Sequence, residues 1–267
     1  MRPAELASSG GASTNADVTP AEVTEFLDTL DSSPANALTA CPARTAHLLG
    51  AHMAGSYKEI ARHVEAYMSG SPLARTRTFD ERELEFRAMS APQLLSRIAG
   101  GEERMRILIG ELLEREPDPV LRWTGRQVHA AEFIKHSRSE CAVHQWDLAG
   151  DSAVSDKLLS QQELFEHLVN FIGALPMTAR GMATGAGTGR SLQARVRAYG
   201  QPDLLIVVHR GEPQLLITEP EGDALVEGDP AARLLFLWGR RPTPYGRLSC
   251  QGSPEELSRL QWLLSGY

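Results

Sequence analysis

The chain has 267 residues, 42% of them apolar and 23% charged, enough apolar material for one large domain or two ordinary ones. Its net charge of −7 argues against nucleic-acid binding, which needs a basic patch. The longest apolar runs, such as Leu234–Trp238, are far too short to span a bilayer. Cys41, Cys141 and Cys250 are odd in number and widely spaced, which argues against a disulfide framework. The N-terminus lacks a basic region followed by an apolar stretch, so no secretion signal is expected and a reducing cytoplasm fits.

Residues 1–18 are rich in Ser, Gly, Ala and Thr and are expected to be disordered. Thr19-Pro20-Ala21-Glu22 reads as a helix start, with Thr19 as cap and Glu22 closing a capping box, and the helix should reach Asp31. Cys41-Pro42 leads into a second helix over Thr45–Ser69, ended by Gly70 and Pro72. Ser90 caps a third helix that reaches Glu116. Leu121–Thr124 reads as a short extended segment, and a fourth helix is expected over Val128–Ala149, stopped by Gly150. Ser160-Gln161-Gln162-Glu163 reads as a second capping box, opening a fifth helix to Ile172.

The pattern then changes. Gly181–Gly189 is a Gly/Ala/Thr stretch, and beyond it strand-like runs follow at Leu192–Val196, Leu204–His209, Gln214–Thr218 and Ala224–Glu227. Asp229-Pro230 opens a short apolar helix to Trp238, and Ser253 caps a last helix after Leu248–Cys250. The expected organisation is a helical bundle over 19–178 and a small α+β domain over 190–267, with the boundary in 178–190.

The chemistry concentrates on two helices. His136, Glu140 and His144 form one stripe of the fourth helix, because a spacing of four returns to the same face. His136 and His144 lie about 12 Å apart along the axis and cannot share one ion, so either 136/140 or 140/144 forms half a metal site. Val143, Trp146 and Ala142 flank the stripe and suggest that it faces inward. His52, among small neighbours on the second helix, could add a third ligand from a facing helix. Asp147, one turn past His144, could accept the second imidazole proton of a ligating histidine. The three cysteines read as buried core thiols. The arginines of the second domain, Arg195, Arg197, Arg210, Arg240 and Arg241, could bind a carboxylate bidentately.

Cys41-Pro42-Ala43-Arg44-Thr45 through Leu49-Gly50-Ala51-His52-Met53-Ala54-Gly55 resembles the opening motif of the mycothiol-dependent maleylpyruvate isomerase family, which reads roughly Cys-Pro-Gly-Trp-Thr and continues to Leu-x-x-His-Leu-x-Gly. Glu140-Cys141-Ala142-Val143-His144-Gln145-Trp146-Asp147 resembles its second signature, and Val226–Pro242 looks like its second domain. The resemblance implies a DinB-like four-helix bundle followed by a sterol-carrier-like α+β domain. It also implies a divalent ion, usually zinc, on His52, Glu140 and His144, and use of mycothiol, the small thiol of actinobacteria. Arg240 and Arg241 are the arginines favoured for cofactor binding. One departure stands out: Arg44 occupies the place of the family's Trp. The activity so implied is metal-assisted attack of a thiolate on a small electrophile, giving isomerisation or S-transfer. Non-haem iron chemistry, a metal-dependent hydrolase that needs no thiol, and a non-catalytic binding module stand as alternatives.

Overall fold

The computed structural model describes residues 18–72, 75–172, 191–209, 212–240 and 246–264. The expected disordered segment lies largely outside these residues, as do the 178–190 boundary, the Gly-rich 181–189 stretch, Arg210 and Arg241.

The first half is helical: α1 (Ala21–Ser32), α2 (Ala46–Met68), α3 (Phe79–Arg87), α4 (Ala91–Arg115) and α5 (Glu132–Ala149). α2 packs along α4 and α1 along α5, while α3 lies across α2. Val23, Phe26, Leu49, Met53, Ile60, Ile98, Met105, Ile109 and Phe133 fill the core between them. Gly55 lets α3 come close, since a Cβ there would sit 2.8 Å from the Arg82 carbonyl oxygen. Short helices α6 (Ala153–Leu159) and α7 (Gln162–His167) follow, the latter running into a π-helical turn over Leu168–Ile172.

One local expectation that holds is Ser90 as the cap of α4, where it forms a capping box with Gln93; Thr45 caps α2 through Leu48 N. Others fail for identifiable reasons. Pro20, not Thr19, takes the cap position of α1, because the Glu22 carboxylate is held by Arg138 of α5 at 2.7 Å and by Gln161 instead of closing a box. The Ser160 box is likewise absent: Ser160 ends α6, Gln161 starts α7 without a side-chain cap, and Glu163 pairs with Arg138 at 2.6 Å. The fourth predicted helix starts four residues late. Val120–Trp123 (β1) and Arg126–His129 (β2) form a hairpin closed by Thr124-Gly125, both at positive φ, so Val128 belongs to a strand.

The second half is an α+β unit, as expected. β3 (Leu192–Ala198), β4 (Asp203–His209), β5 (Glu212–Thr218), β6 (Val226–Gly228) and β7 (Leu248–Cys250) form one sheet in the order β5-β4-β3-β6-β7. β3 and β6 are parallel and the other pairs antiparallel. Asp229 caps α8 (Pro230–Leu237) through Ala232 N, and α9 (Pro254–Leu264) closes the described chain. α8 packs on both α6 and β3, so it joins the sheet to the helical half.

Polar contacts reinforce that seam. Arg233 of α8 is fully buried, stacks 3.6 Å from the Phe165 ring and donates to Gln201 and the Pro202 carbonyl. Arg247 bridges Asp229 in its own half to Asp151 and Asp156 in the other, at 2.7–2.9 Å. No helix among the described residues is long and apolar enough to cross a membrane.

Candidate functional site

The site forms where α2, α3 and α5 meet. α2 presents His52 and α5 presents Glu140 and His144 one turn apart, all facing inward. His52 Nε2 lies 3.4 Å and His144 Nε2 3.5 Å from the same oxygen, Glu140 Oε2. One donor atom from each of the three residues lies within 4.8 Å of the others. The two imidazole rings meet edge to face, 5.4 Å between centroids.

The opposite nitrogen of each ring is held by a carboxylate. His52 Nδ1 donates to Glu83 Oε1 at 2.9 Å, and His144 Nδ1 to Asp147 Oδ2 at 2.8 Å. An ionised carboxylate only accepts, so both protons sit on Nδ1 and both Nε2 lone pairs point into the site. Arginines fix the carboxylates in turn. Glu83 is fully buried and receives Arg44 at 3.0 and 3.1 Å and Arg87 at 2.7 Å. Asp147 receives Arg240 bidentately, Nε to Oδ1 at 2.9 Å and Nη2 to Oδ2 at 2.7 Å. This arrangement of imidazole, carboxylate and guanidinium therefore occurs twice, once from α3 and once from the second half of the chain.

The electrostatics follow from these contacts. Burial by itself raises the Glu140 pKa, but the neighbouring imidazoles of His144 and His52 outweigh it and hold the carboxyl well below the ordinary range. Glu83 is also depressed: burial is overcome by His52, Arg44 and Arg87. Burial disfavours charge on His144, yet Asp147 and Glu140 together raise its pKa.

The donor set fits a divalent ion. Four ligands at about 2.0–2.1 Å around a tetrahedral ion stand about 3.3 Å from one another, close to the separations of Glu140 Oε2 from the two imidazoles. His144 Nε2 is buried without a hydrogen-bond partner among the described residues, as a lone pair kept for a ligand would be. Cys41 Sγ lies near His144 and Asp147 in a second potential donor group.

Of the sequence candidates, the structure brings together His52, Glu140 and His144, with Asp147 behind them. His136 stands apart, one turn back on α5, with its ring 5.7 Å from that of His167; burial pushes its pKa down to about 4. Arg240 is buried and engaged with Asp147, so its guanidinium orients a site residue from behind. Arg195 and Arg197 both hold Asp203 in the sheet domain. Cys41 and Cys141 are buried as expected, Cys141 beside the Tyr57 hydroxyl at 3.1 Å. Cys250 is not: it lies exposed on edge strand β7, whose short run has one face open to solvent.

Sequence reading missed Glu83 because it missed α3. The signal was present in Thr78-Phe79-Asp80-Glu81, a capping box that the structure forms in full. The Arg44 departure also acquires a role, since that side chain forms the bidentate pair with Glu83.

Residues 19–149 match the family model described as the mycothiol maleylpyruvate isomerase N-terminal domain. A search of curated proteins finds no match. Among solved structures, a mutant of the mycothiol-dependent maleylpyruvate isomerase superposes with a TM-score of 0.58 at 13% identity, over 85% of this chain and 88% of that one. A structure of the mycothiol-dependent maleylpyruvate isomerase without that mutation gives 0.54 at 16% identity, over 82% of this chain and 85% of that one. At such identities the likeness shows the fold, which extends across both halves. The helical half thus belongs to the family of mycothiol maleylpyruvate isomerase N-terminal domains, and the chain as a whole shares the fold of the two solved structures.

Proposed function

We propose that this protein is a metal-dependent enzyme that uses mycothiol to attack a small electrophile, as an isomerase of the maleylpyruvate type or as a thiol S-transferase. The observation that carries the reading is the convergence of two imidazole Nε2 atoms and one Glu140 oxygen, with both Nδ1 atoms held by buried carboxylates. His52, Glu140 and His144 would hold a divalent ion, zinc in this reading, which would supply a Lewis acid favouring the thiolate form of a thiol. Thiolate is the reactive form, and a free thiol is mostly protonated at neutral pH.

The chain's own residues do the rest. Glu83 and Asp147 keep both imidazoles in the ligating tautomer and fix their orientation. Arg44, Arg87 and Arg240 keep those carboxylates ionised and in place. Phe79, half exposed, lies 5.3 Å from the His52 ring and provides an apolar wall beside it. Arg241 remains a proposed cofactor contact by its place next to Arg240 in the sequence.

Elemental analysis tests the site. His52→Ala and His144→Ala should each lose stoichiometric metal while remaining helical by far-UV circular dichroism, and His136→Ala should keep it. With cobalt in place of zinc, mycothiol should produce a sulfur-to-cobalt charge-transfer band near the ultraviolet edge. Full metal in both ligand variants sinks the site, and a cobalt spectrum and turnover both indifferent to mycothiol sink the thiol chemistry.

A further inference from the structure

α3 is seated differently from the other helices of the bundle. It packs on α2, and no other described helix or strand meets it to a like extent. Of its nine residues only Arg82, Glu83 and Phe86 are buried, so a single apolar side chain lies in the seam. Its other large apolar residues, Phe79 and Leu84, are 55% and 69% exposed. α2 and α4, by contrast, bury rows of apolar side chains, among them Leu49, Met53 and Ile60 on the first and Ile98, Met105 and Ile109 on the second.

Polar contacts do the seating instead. Glu83 reaches His52 and Arg44 across the seam, His47 Nε2 donates to the Arg87 carbonyl at 3.1 Å, and Lys58 pairs with Glu85 on the exposed side at 2.5 Å. The pair of Arg87 with Asp80 lies within α3 and moves with it. Ion pairs fix geometry more than they add strength, because both partners regain water when they part. Local opening falls on the segments with the fewest buried apolar contacts. α3 is therefore the helix that leaves the bundle at least cost. The chain at its two ends is pinned. Arg77 gives Glu59 its backbone N–H and its Nε, each at 2.7 Å, Arg62 holds the Arg75 carbonyl at 2.9 Å, and Ser90 starts α4 with its capping box.

The site gives such an opening a use. His52 and His144 are 7% and 5% exposed, and the Glu140 side chain 14%. Walls that close so tightly must part for two reactants to meet there. α3 supplies one wall, with Phe79 5.3 Å from the His52 ring and Glu83 on His52 Nδ1.

We propose that α3 is a lid, which lifts from α2 to admit reactants and on seating returns Glu83 to His52. An ion on His52 Nε2 makes the Nδ1–H a better donor, so metal binding draws Glu83 down and seats the helix, and the seated helix tightens the ion in return. What the lid admits rests on the proposed function; how α3 is seated does not.

Hydrogen exchange on the full chain tests the opening, and a covalent lock tests its use. In the metal-free protein the amides of 82–87 should exchange roughly a hundredfold or more faster than those of 49–60 and 98–109, through an opening that mild denaturant does not promote. Zinc should slow them roughly tenfold or more. Carbodiimide coupling of the zinc-loaded protein joins Lys58 to Glu85 without a spacer, and peptide mapping locates the bond; Lys58→Arg cannot form it and serves as control. The lock should slow extraction of zinc by a chelator roughly tenfold or more, while treated K58R releases it at the parent rate. Protection of 82–87 equal to that of α2 and α4 overturns the lid, and so does zinc leaving the locked protein at the parent rate. If α3 opens and locks as described while turnover ignores metal and mycothiol, the proposed function fails and the lid stands. If no zinc binds, the proposed function fails, and the exchange of the metal-free protein decides the lid by itself.

Discussion

Glu83→Gln is the sharpest test of how the site is held. The substitution keeps size and shape but replaces one carboxylate oxygen with an amide NH2. Glu83 Oε1 receives His52 Nδ1 at 2.9 Å and Arg44 Nη2 at 3.0 Å; Oε2 receives Arg44 Nη1 at 3.1 Å and Arg87 Nη2 at 2.7 Å. Every contact brings a donor, so either orientation of the amide sets a donor against two donors. Two charge-assisted bonds are lost, nominally about 1.5–3 kcal/mol each. Arg44 and Arg87 are partly exposed and can turn to water, which reduces the total to about 2–3 kcal/mol. The function should suffer separately, because His52 loses the anion that fixes its tautomer. Loss of such a partner typically weakens a metal site about 10- to 100-fold, or about 1.4–2.7 kcal/mol. A chelator-competition titration measures the second quantity and denaturant unfolding of the metal-free protein the first. Unchanged metal affinity in a variant that is destabilised as described would refute the view that Glu83 serves the ligand, and would leave it a purely structural ion-pair centre.

Three further outcomes follow from the packing and the charges. Gly55→Ala places a methyl group 2.8 Å from the Arg82 carbonyl oxygen, so α3 must shift; thermal unfolding should show a loss of about 1–3 kcal/mol, and metal affinity should fall with it because Glu83 rides on α3. Tyr57→Phe removes a buried hydroxyl that accepts from Ser137 and touches Cys141, with an expected loss of about 1–2 kcal/mol in urea unfolding and no change in metal content. Arg247→Met should lower stability by about 1–2 kcal/mol at neutral pH after allowance for solvent screening. Although burial opposes it, Arg247 holds the Asp229 carboxyl below its ordinary pKa, so that stabilisation is present above the usual carboxylate range and disappears as acid protonates Asp229. The difference between parent and variant should therefore shrink as the pH falls through that range, and a pH-independent difference would contradict the assignment.

The metal-ligand candidates were legible because helical periodicity alone places Glu140 and His144 on one face, and because Asp147 lies one turn further along the same helix. The choice between 136/140 and 140/144 was not legible from α5. It depends on where α2 lies across the bundle, a tertiary fact that the His136–His167 ring pair on the other side makes visible. Caps were legible where the capping side chain had no competing partner, as at Ser90 and Ser253. They failed where the acidic residue of the box was drawn to Arg138, a residue remote in sequence from Glu22. The hairpin before α5 escaped because Val128 suits either period, and only pairing with Leu121 settles it. Arg240 was picked out as a cofactor contact on its residue type. Its bidentate engagement with Asp147 depends on the docking of the two halves, which no local pattern encodes.

That docking has a thermodynamic corollary. Arg240 comes from the sheet half, yet it holds the carboxylate that orients His144. A ligand that draws on His144 Nε2 is therefore energetically coupled to the seating of the other half, and the coupling must run both ways. Filling the site should slow amide hydrogen exchange in β3 and β6, remote from any ligand atom, and loosening the seam at Arg233 or Arg247 should weaken a ligand that neither residue touches. The second half would then be a regulator of occupancy by virtue of how firmly it sits, a property that sequence change far from the histidines could tune.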